Sequence, residues 1–311
     1  MKKKHSSQSE MHFTLWKNLR FFINFYFTPR SGVIEVIMKA FKNKNFVIGF
    51  ILVAILVTIT LISLFYTPYS PTQINSNAQT MPPSLEHLGG TDRLGRDLLS
   101  RTMVAGQTAF SIGIISVTSA MVIGVMLGLI AGYFQGFIGN LIMRFTDAFK
   151  AIPGLLFAMM ISAVFGKSFI STTVAITIIL APSFIRITRA NVLKIKSIEY
   201  IQWTSLIGLK PFRVMIIHIL PNIISSIIIT ASMGFADAVL IEASLSYLGL
   251  GIQPPDPSWG QMLSEGQGFI MTAPWLVLLP GTMITLLVLG FNLLGDGLSD
   301  LLDAKSNNKE D

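Results

Sequence analysis

The 311-residue chain is 51% apolar and only 13% charged, about half the charge of an ordinary soluble domain, and its apolar residues lie in runs longer than soluble elements need. It contains no cysteine, which excludes a disulfide framework and a thiolate metal site. Its four histidines, His5, His12, His87 and His218, nowhere share a helix at metal-ligand spacing, so no metal site is expected. The net charge of +7 would suit a nucleic-acid binder, but the positive residues are distributed as membrane topology requires, and no nucleic-acid partner is expected.

Residues 1–45 read as a basic cytoplasmic arm, with Trp16, Phe21, Phe22, Phe25, Tyr26 and Phe27 interleaved with Lys17, Arg20 and Arg30. An amphipathic helix on membrane lipid and a loosely ordered arm near anionic headgroups both fit this pattern. The first apolar run starts at Phe46, too far along for a cleavable signal. At about 20 residues it is long enough to cross a bilayer core, and it gives a retained spanning segment over 46–66. Pro68 and Pro71 prevent its continuation. Residues 67–104 are polar and turn-rich and read as an external segment.

A core over 105–298 follows, with five more predicted helices. They cover 109–132, which carries no charge; 141–165, with Pro153 inside; 168–187; 215–245, with Pro221, Asp237 and Glu242 inside; and 273–294. Gly136 and Gly139 mark a short turn, residues 188–214 a polar connection, 246–272 a Pro- and Gly-bearing loop, and 299–311 a charged tail. The fold class is an all-α integral membrane protein with six transmembrane helices. Of its 23 Lys and Arg residues, 19 fall on the side of the termini and four, Arg93, Arg96, Arg101 and Lys167, on the other. The positive-inside rule then puts both termini in the cytoplasm.

Several residues need a physical reason. Ser116, Ala120, Gly124, Gly128 and Gly132 recur every four residues, so they line one helix face that another helix can approach closely. Packing within the subunit is the preferred reading, and a subunit interface the alternative. Asp147, Asp237 and Glu242 lie in or near apolar spans, where a charge costs about 2.5–3.5 kcal/mol on insertion scales. Asp147 is expected to pair with Lys150, three residues on. For Asp237 and Glu242 a place on a transport pathway and a place near the external interface both fit.

No catalytic set is found: neither HExxH nor GxSxG is present, and Ser183 and Ser225 are isolated hydroxyls. Gly166-Lys167-Ser168 resembles the end of a nucleotide-binding loop, but the glycine required upstream is Ile161. If ATP drives this protein, a separate chain must bind it.

The stretch from Glu199 to Asn222 is the most informative. The pattern before Gly208 suits a helix, Gly208 can end it in the left-handed conformation, and Pro211 can start the next. The expected result is a helix–turn–helix projection on the cytoplasmic face, suited to docking a soluble partner; a plain connecting loop is equally compatible with the residues. The stretch resembles the coupling loop of ABC importer permeases. Gly208 and Ile217-His218-Ile219-Leu220-Pro221-Asn222 match the family pattern, while Gln202-Trp203-Thr204 stand where that family usually has Glu-Ala-Ala. This departure bears on the strength or partner choice of the contact. On the resemblance, the coupling residues are Glu199, Gln202, Trp203, Thr204, Gly208, Lys210, Pro211, Phe212, Arg213, His218, Leu220 and Pro221.

Two further stretches resemble the C-type permeases of dipeptide, oligopeptide and nickel importers. One is Leu88-Gly89-Gly90-Thr91-Asp92-Arg93-Leu94-Gly95-Arg96-Asp97 with Ser100-Arg101, and the other runs from Ser246 to Gly260. The resemblance covers about residues 40–303 and implies a type I ABC importer permease fold in the cell's inner membrane. It also implies a B-type permease partner, ATPase subunits that carry the ATP and Mg, and an external solute-binding protein. Short peptides are the expected cargo, with nickel or a metal chelate as the alternative. An ion-coupled secondary transporter using Asp237 and Glu242 is the distant one; it predicts an internal repeat, and the sequence shows none.

Overall fold

A computed structural model describes residues 41–307; the arm over 1–40 and the last four residues lie outside the described residues. The described chain is helical apart from loops and one isolated bridge between Thr91 and Asp97. Five helices are long and apolar enough to cross a membrane, and a bent pair makes a sixth if it is one span.

Helix α1, Lys44–Ile62, starts where the Asn43 side chain accepts from the amides of Asn45 and Phe46, a capping arrangement that satisfies two otherwise orphaned donors. Helix α2, Leu98–Tyr133, begins eleven residues before the expected 109. Asp97 caps it by accepting from Ser100 N at 2.8 Å. Thirty-six residues span about 54 Å, more than a bilayer core of about 30 Å. The polar first turns, read from sequence as part of the external segment, therefore belong to the helix. The cap and helical propensity outweigh polarity there.

The expected single helix over 141–165 is two. Helices α3, Phe137–Ala151, and α4, Gly154–Phe165, meet at 86°. Pro153 lacks an N–H and pushes its predecessor out of the helical region, and Ile152 is accordingly extended at φ −90°, ψ 127°. Gly139, expected in a turn, lies inside α3. Gly166 at φ +84° ends α4, and Ser168 caps α5, Phe169–Lys196, in a reciprocal box with Ser171. Gly166-Lys167-Ser168 is thus a helix stop and start. Helix α5 continues nine residues past the expected 187, taking over part of the predicted 188–214 connection.

Helix α6, Glu199–Leu206, follows. Helix α7, Pro211–Tyr247, contains a π-helical segment over Val214–Ile219. A short helix α8, Trp259–Gly266, lies in the predicted loop before α9, Trp275–Asn307. Helix α9 runs into the predicted charged tail instead of stopping near 294.

The centre of the bundle is α2 against α5. A Cβ built on Gly124, Gly128 or Gly132 would lie 2.4–2.6 Å from the Cβ of Phe184, Thr188 or Val192 respectively. Ser116 Oγ donates to Thr173 O at 3.2 Å, and Ala120 is fully buried. The small-residue face therefore meets α5 within the chain, close enough for backbone to touch side chain. Helix α7 joins this centre to α9 through Phe235 stacked on Phe291, 4.0 Å between centroids.

Candidate functional sites at the two ends of the bundle

At the end shared by the C-terminus of α5 and the start of α7, the chain builds a projecting hairpin. Helix α6 closes through Ile207 N to Trp203 O and Leu209 N to Thr204 O, both 3.1 Å. Gly208 sits at φ +75° with nothing within 4 Å of a built Cβ. Its role is conformational: another residue meets no neighbour there but must adopt the left-handed region. Lys210 is extended and Pro211 opens α7, where a missing N–H costs nothing.

The hairpin has two faces. Ile201, Thr204, Val214, Met215 and Ile219 are buried against the bundle, and Thr204 Oγ1 donates to Ile201 O. Trp203, Ile207 and Phe212 are 63%, 71% and 72% exposed, beside exposed Glu199, Gln202, Lys210 and Arg213. Large apolar side chains grouped on a polar end mark an interaction surface. Thr204 and the half-buried His218 and Leu220 face inward or flank the junction, so of the coupling residues named from sequence they do not belong to this outer surface, whereas Pro221 is exposed.

At the same end Asp147 does not pair with Lys150. It accepts from Arg186 NH2 of α5 at 2.5 Å. The Arg186 side chain reaches across from the neighbouring helix, while Lys150 occupies the last turn of α3, where a cation suits the helix dipole.

The opposite end holds a buried charge cluster. Asp92 Oδ1 accepts from the amides of Leu94 at 2.8 Å and Arg96 at 3.0 Å, closing a tight loop. Arg96 donates from Nε to Asp92 Oδ2 at 2.6 Å and from NH2 to Glu265 Oε2 of α8 at 2.9 Å. Arg101, 1% exposed, faces the same two carboxylates at 3.6 and 3.7 Å. Asp97 joins His87 Nδ1 at 2.8 Å while capping α2. Trp259 Nε1 donates to Thr102 O at 2.9 Å. These contacts tie the loop before α2, the first turns of α2 and α8 into one unit. Two of this end's four basic residues are thereby neutralised in ion pairs.

Glu242 and Asp237 are not brought together. Glu242 is buried near the end of α7 and accepts from Ser246 Oγ at 2.7 Å, while Ser246 Oγ also receives the Ile252 amide at 3.2 Å. Asp237 is exposed, sharing a surface stripe with Met233 and Leu240. Five residues separate the two acids, which places them on different faces of a 3.6-residue helix. Sequence reasoning did not find Glu265, Arg186 or the helix α8; the i, i+3, i+4, i+7 spacing of Trp259, Met262, Leu263 and Gly266 was the available signal for α8.

Residues 124–308 match the family model described as binding-protein-dependent transport system inner membrane component, and residues 35–83 match the N-terminal TM domain of oligopeptide transport permease C. A dipeptide transport system permease protein of Alkalihalophilus pseudofirmus is 40% identical over 279 residues, covering 90% of this chain and 92% of that protein. The dipeptide transport system permease protein of Escherichia coli is 42% identical, covering 85% and 90%. A glutathione transport system permease protein of Pectobacterium atrosepticum is 42% identical, covering 72% and 74%. Among solved structures, an inward-facing form of the MetNI methionine ABC transporter superposes with a TM-score of 0.53 at 17% identity, covering 63% of this chain and 93% of that one, a likeness of fold. With its apolar helices, the chain is a multi-pass permease component that belongs to the binding-protein-dependent transport system inner membrane component family.

Proposed function

We propose that the chain is one permease subunit of an ATP-driven importer of short peptides, and that the α6–Gly208–α7 hairpin is its docking site for the ATPase. The observation that carries this reading is the outer face of the hairpin: Trp203, Ile207 and Phe212 stand exposed around the Gly208 turn at the end of the bundle. Lys194, Lys196, Lys210 and Arg213 crowd that end, which supports a cytoplasmic location by the positive-inside rule. The names of the relatives, which transport dipeptides or glutathione, support a peptide cargo.

On this reading ATP and Mg are held by the partner ATPases, a B-type permease completes the pathway, and an external solute-binding protein delivers the peptide. ATP binding closes the ATPases, the hairpin is displaced, and the pathway turns outward to receive the peptide; hydrolysis resets it. ATP drives the cycle only because the two conformations bind it unequally. Met233, Asp237 and Leu240 form a surface stripe for the pathway or the partner permease.

Co-purification tests the reading. The tagged chain, co-expressed with the proteins encoded beside it and extracted in mild detergent, should retain an ATPase, and Trp203→Ala with Phe212→Ala should lose it. Failure of the unsubstituted chain to retain any ATPase would remove the docking role.

A further inference from the structure

The sequence motif Ile217-His218-Ile219-Leu220-Pro221-Asn222 has a structural consequence beyond docking. In a regular α-helix the Pro221 ring would collide with the Ile217 carbonyl, and Pro221 could not donate to it. Helix α7 widens just before this point: Val214–Ile219 is π-helical, and Leu220 N donates to Met215 O, five residues back. Such segments are rare, occur mostly as short insertions in α-helices, and are frequent at functional sites.

At the π-to-α junction the His218 carbonyl receives two side chains. Asn222 Nδ2 donates to it at 2.6 Å and the Tyr200 hydroxyl reaches it at 3.4 Å. Asn222 Nδ2 also donates to Tyr200 Oη at 3.0 Å. Tyr200 belongs to α6, half-buried, with its body packed against the main apolar core. It lies on the flank of α6 between the buried side of Ile201 and Thr204 and the exposed outer side that carries Trp203, one turn on. A load applied to that outer side therefore has a directional, hydrogen-bonded route to the one place where α7 departs from regular geometry.

We propose that Tyr200, with Asn222, is the positioning pair that transmits displacement of α6 to α7, acting on the His218 carbonyl at the π-to-α junction. The inference rests on the docking reading above and extends it: docking holds the partner, whereas this pair makes the held partner's motion reach the membrane-spanning helix. On this proposal the π segment is the element that takes the two arrangements coupling requires.

The chain has no cysteine, so a single introduced one is its sole maleimide site, and the label is read on this chain after the subunits are separated. Met233→Cys or Leu240→Cys, each on the exposed stripe of α7, would be labelled with a maleimide in the reconstituted complex, with and without ATP plus vanadate. ATP should change the labelling rate about fivefold or more in the otherwise unsubstituted chain. Adding Tyr200→Phe or Asn222→Ala should cut that change to under twofold while ATPase retention and ATP hydrolysis persist. The two together should do no more than either alone.

A purely structural role would not separate hydrolysis from the α7 response. An unchanged response in both variants overturns the inference and leaves the docking reading standing. Loss of the ATPase from both variants also overturns it, by making Tyr200 part of the docking contact. An unsubstituted complex that neither retains an ATPase nor responds to ATP overturns the docking reading and this inference with it.

Discussion

Glu265→Gln should destabilise the fold through the charge cluster. Asp92 and Glu265 balance Arg96 and Arg101, and all four side chains are 18% exposed or less. Neutralising Glu265 leaves one buried positive charge uncompensated and Arg96 NH2 facing an amide in place of the carboxylate 2.9 Å away. Breaking a buried pair by removing one partner costs about 3–5 kcal/mol. For a chain of this size each kcal/mol shifts a melting midpoint by about 2 °C, so the midpoint should fall by roughly 6–10 °C. The purified permease in mild detergent, followed by tryptophan fluorescence on heating, gives the measurement. Arg101→Met removes the cation and keeps much of the packing, so Glu265→Gln with Arg101→Met should cost less than the sum of the two. Arg93→Ala, at an exposed position in the same loop, should stay within about 0.5 kcal/mol of the parent. A Glu265→Gln shift under 2 °C, or strict additivity in the double variant, would refute the argument that these four groups act as one neutral unit.

Gly128→Val should disrupt the α2–α5 contact, because a Cβ there already lies 2.6 Å from Thr188 Cβ and 2.8 Å from Ile185 O; overpacking costs about 1–3 kcal/mol, measured by the same melt. At Gly208, Ala should cost about 1–2 kcal/mol for the left-handed backbone, while Asn, which visits that region more readily, should cost less. Equal melting midpoints for the two would show that φ +75° is not the constraint. Asp147→Asn should lower stability by no more than about 1 kcal/mol, a midpoint shift of about 2 °C, because the Asp147 and Arg186 side chains are 59% and 44% exposed and exposed pairs contribute little. A larger loss would mean that this pair is shielded in the assembled transporter.

The all-α membrane class was legible in the sequence because a bilayer demands long uninterrupted apolar segments, and the runs at 46–65, 109–132 and 273–294 supply them. The hairpin was legible only as one of two readings: Gly208 permits a left-handed turn and Pro211 fixes its own φ, but a plain connecting loop fitted the same residues. Pro153 carried the same kind of local signal, but its consequence did not follow from it. Proline in a spanning helix is compatible with a mild kink or a full break, and only the three-dimensional structure gives the 86° bend.

Partner choice was decided by tertiary structure alone. From the sequence, Lys150, three residues on, was the expected partner of Asp147, yet Arg186, 39 residues away, makes the pair. Glu265 meets Arg96 across 169 residues, and Tyr200 meets the His218 carbonyl across 18. Asp237 and Glu242 looked alike as acids in an apolar run, and the packing of α7 left one exposed and buried the other. Periodicity and special residues act through the local chain and can be read along it. Ion pairs, burial and inter-helix hydrogen bonds depend on which faces meet, and that is settled only when the helices pack.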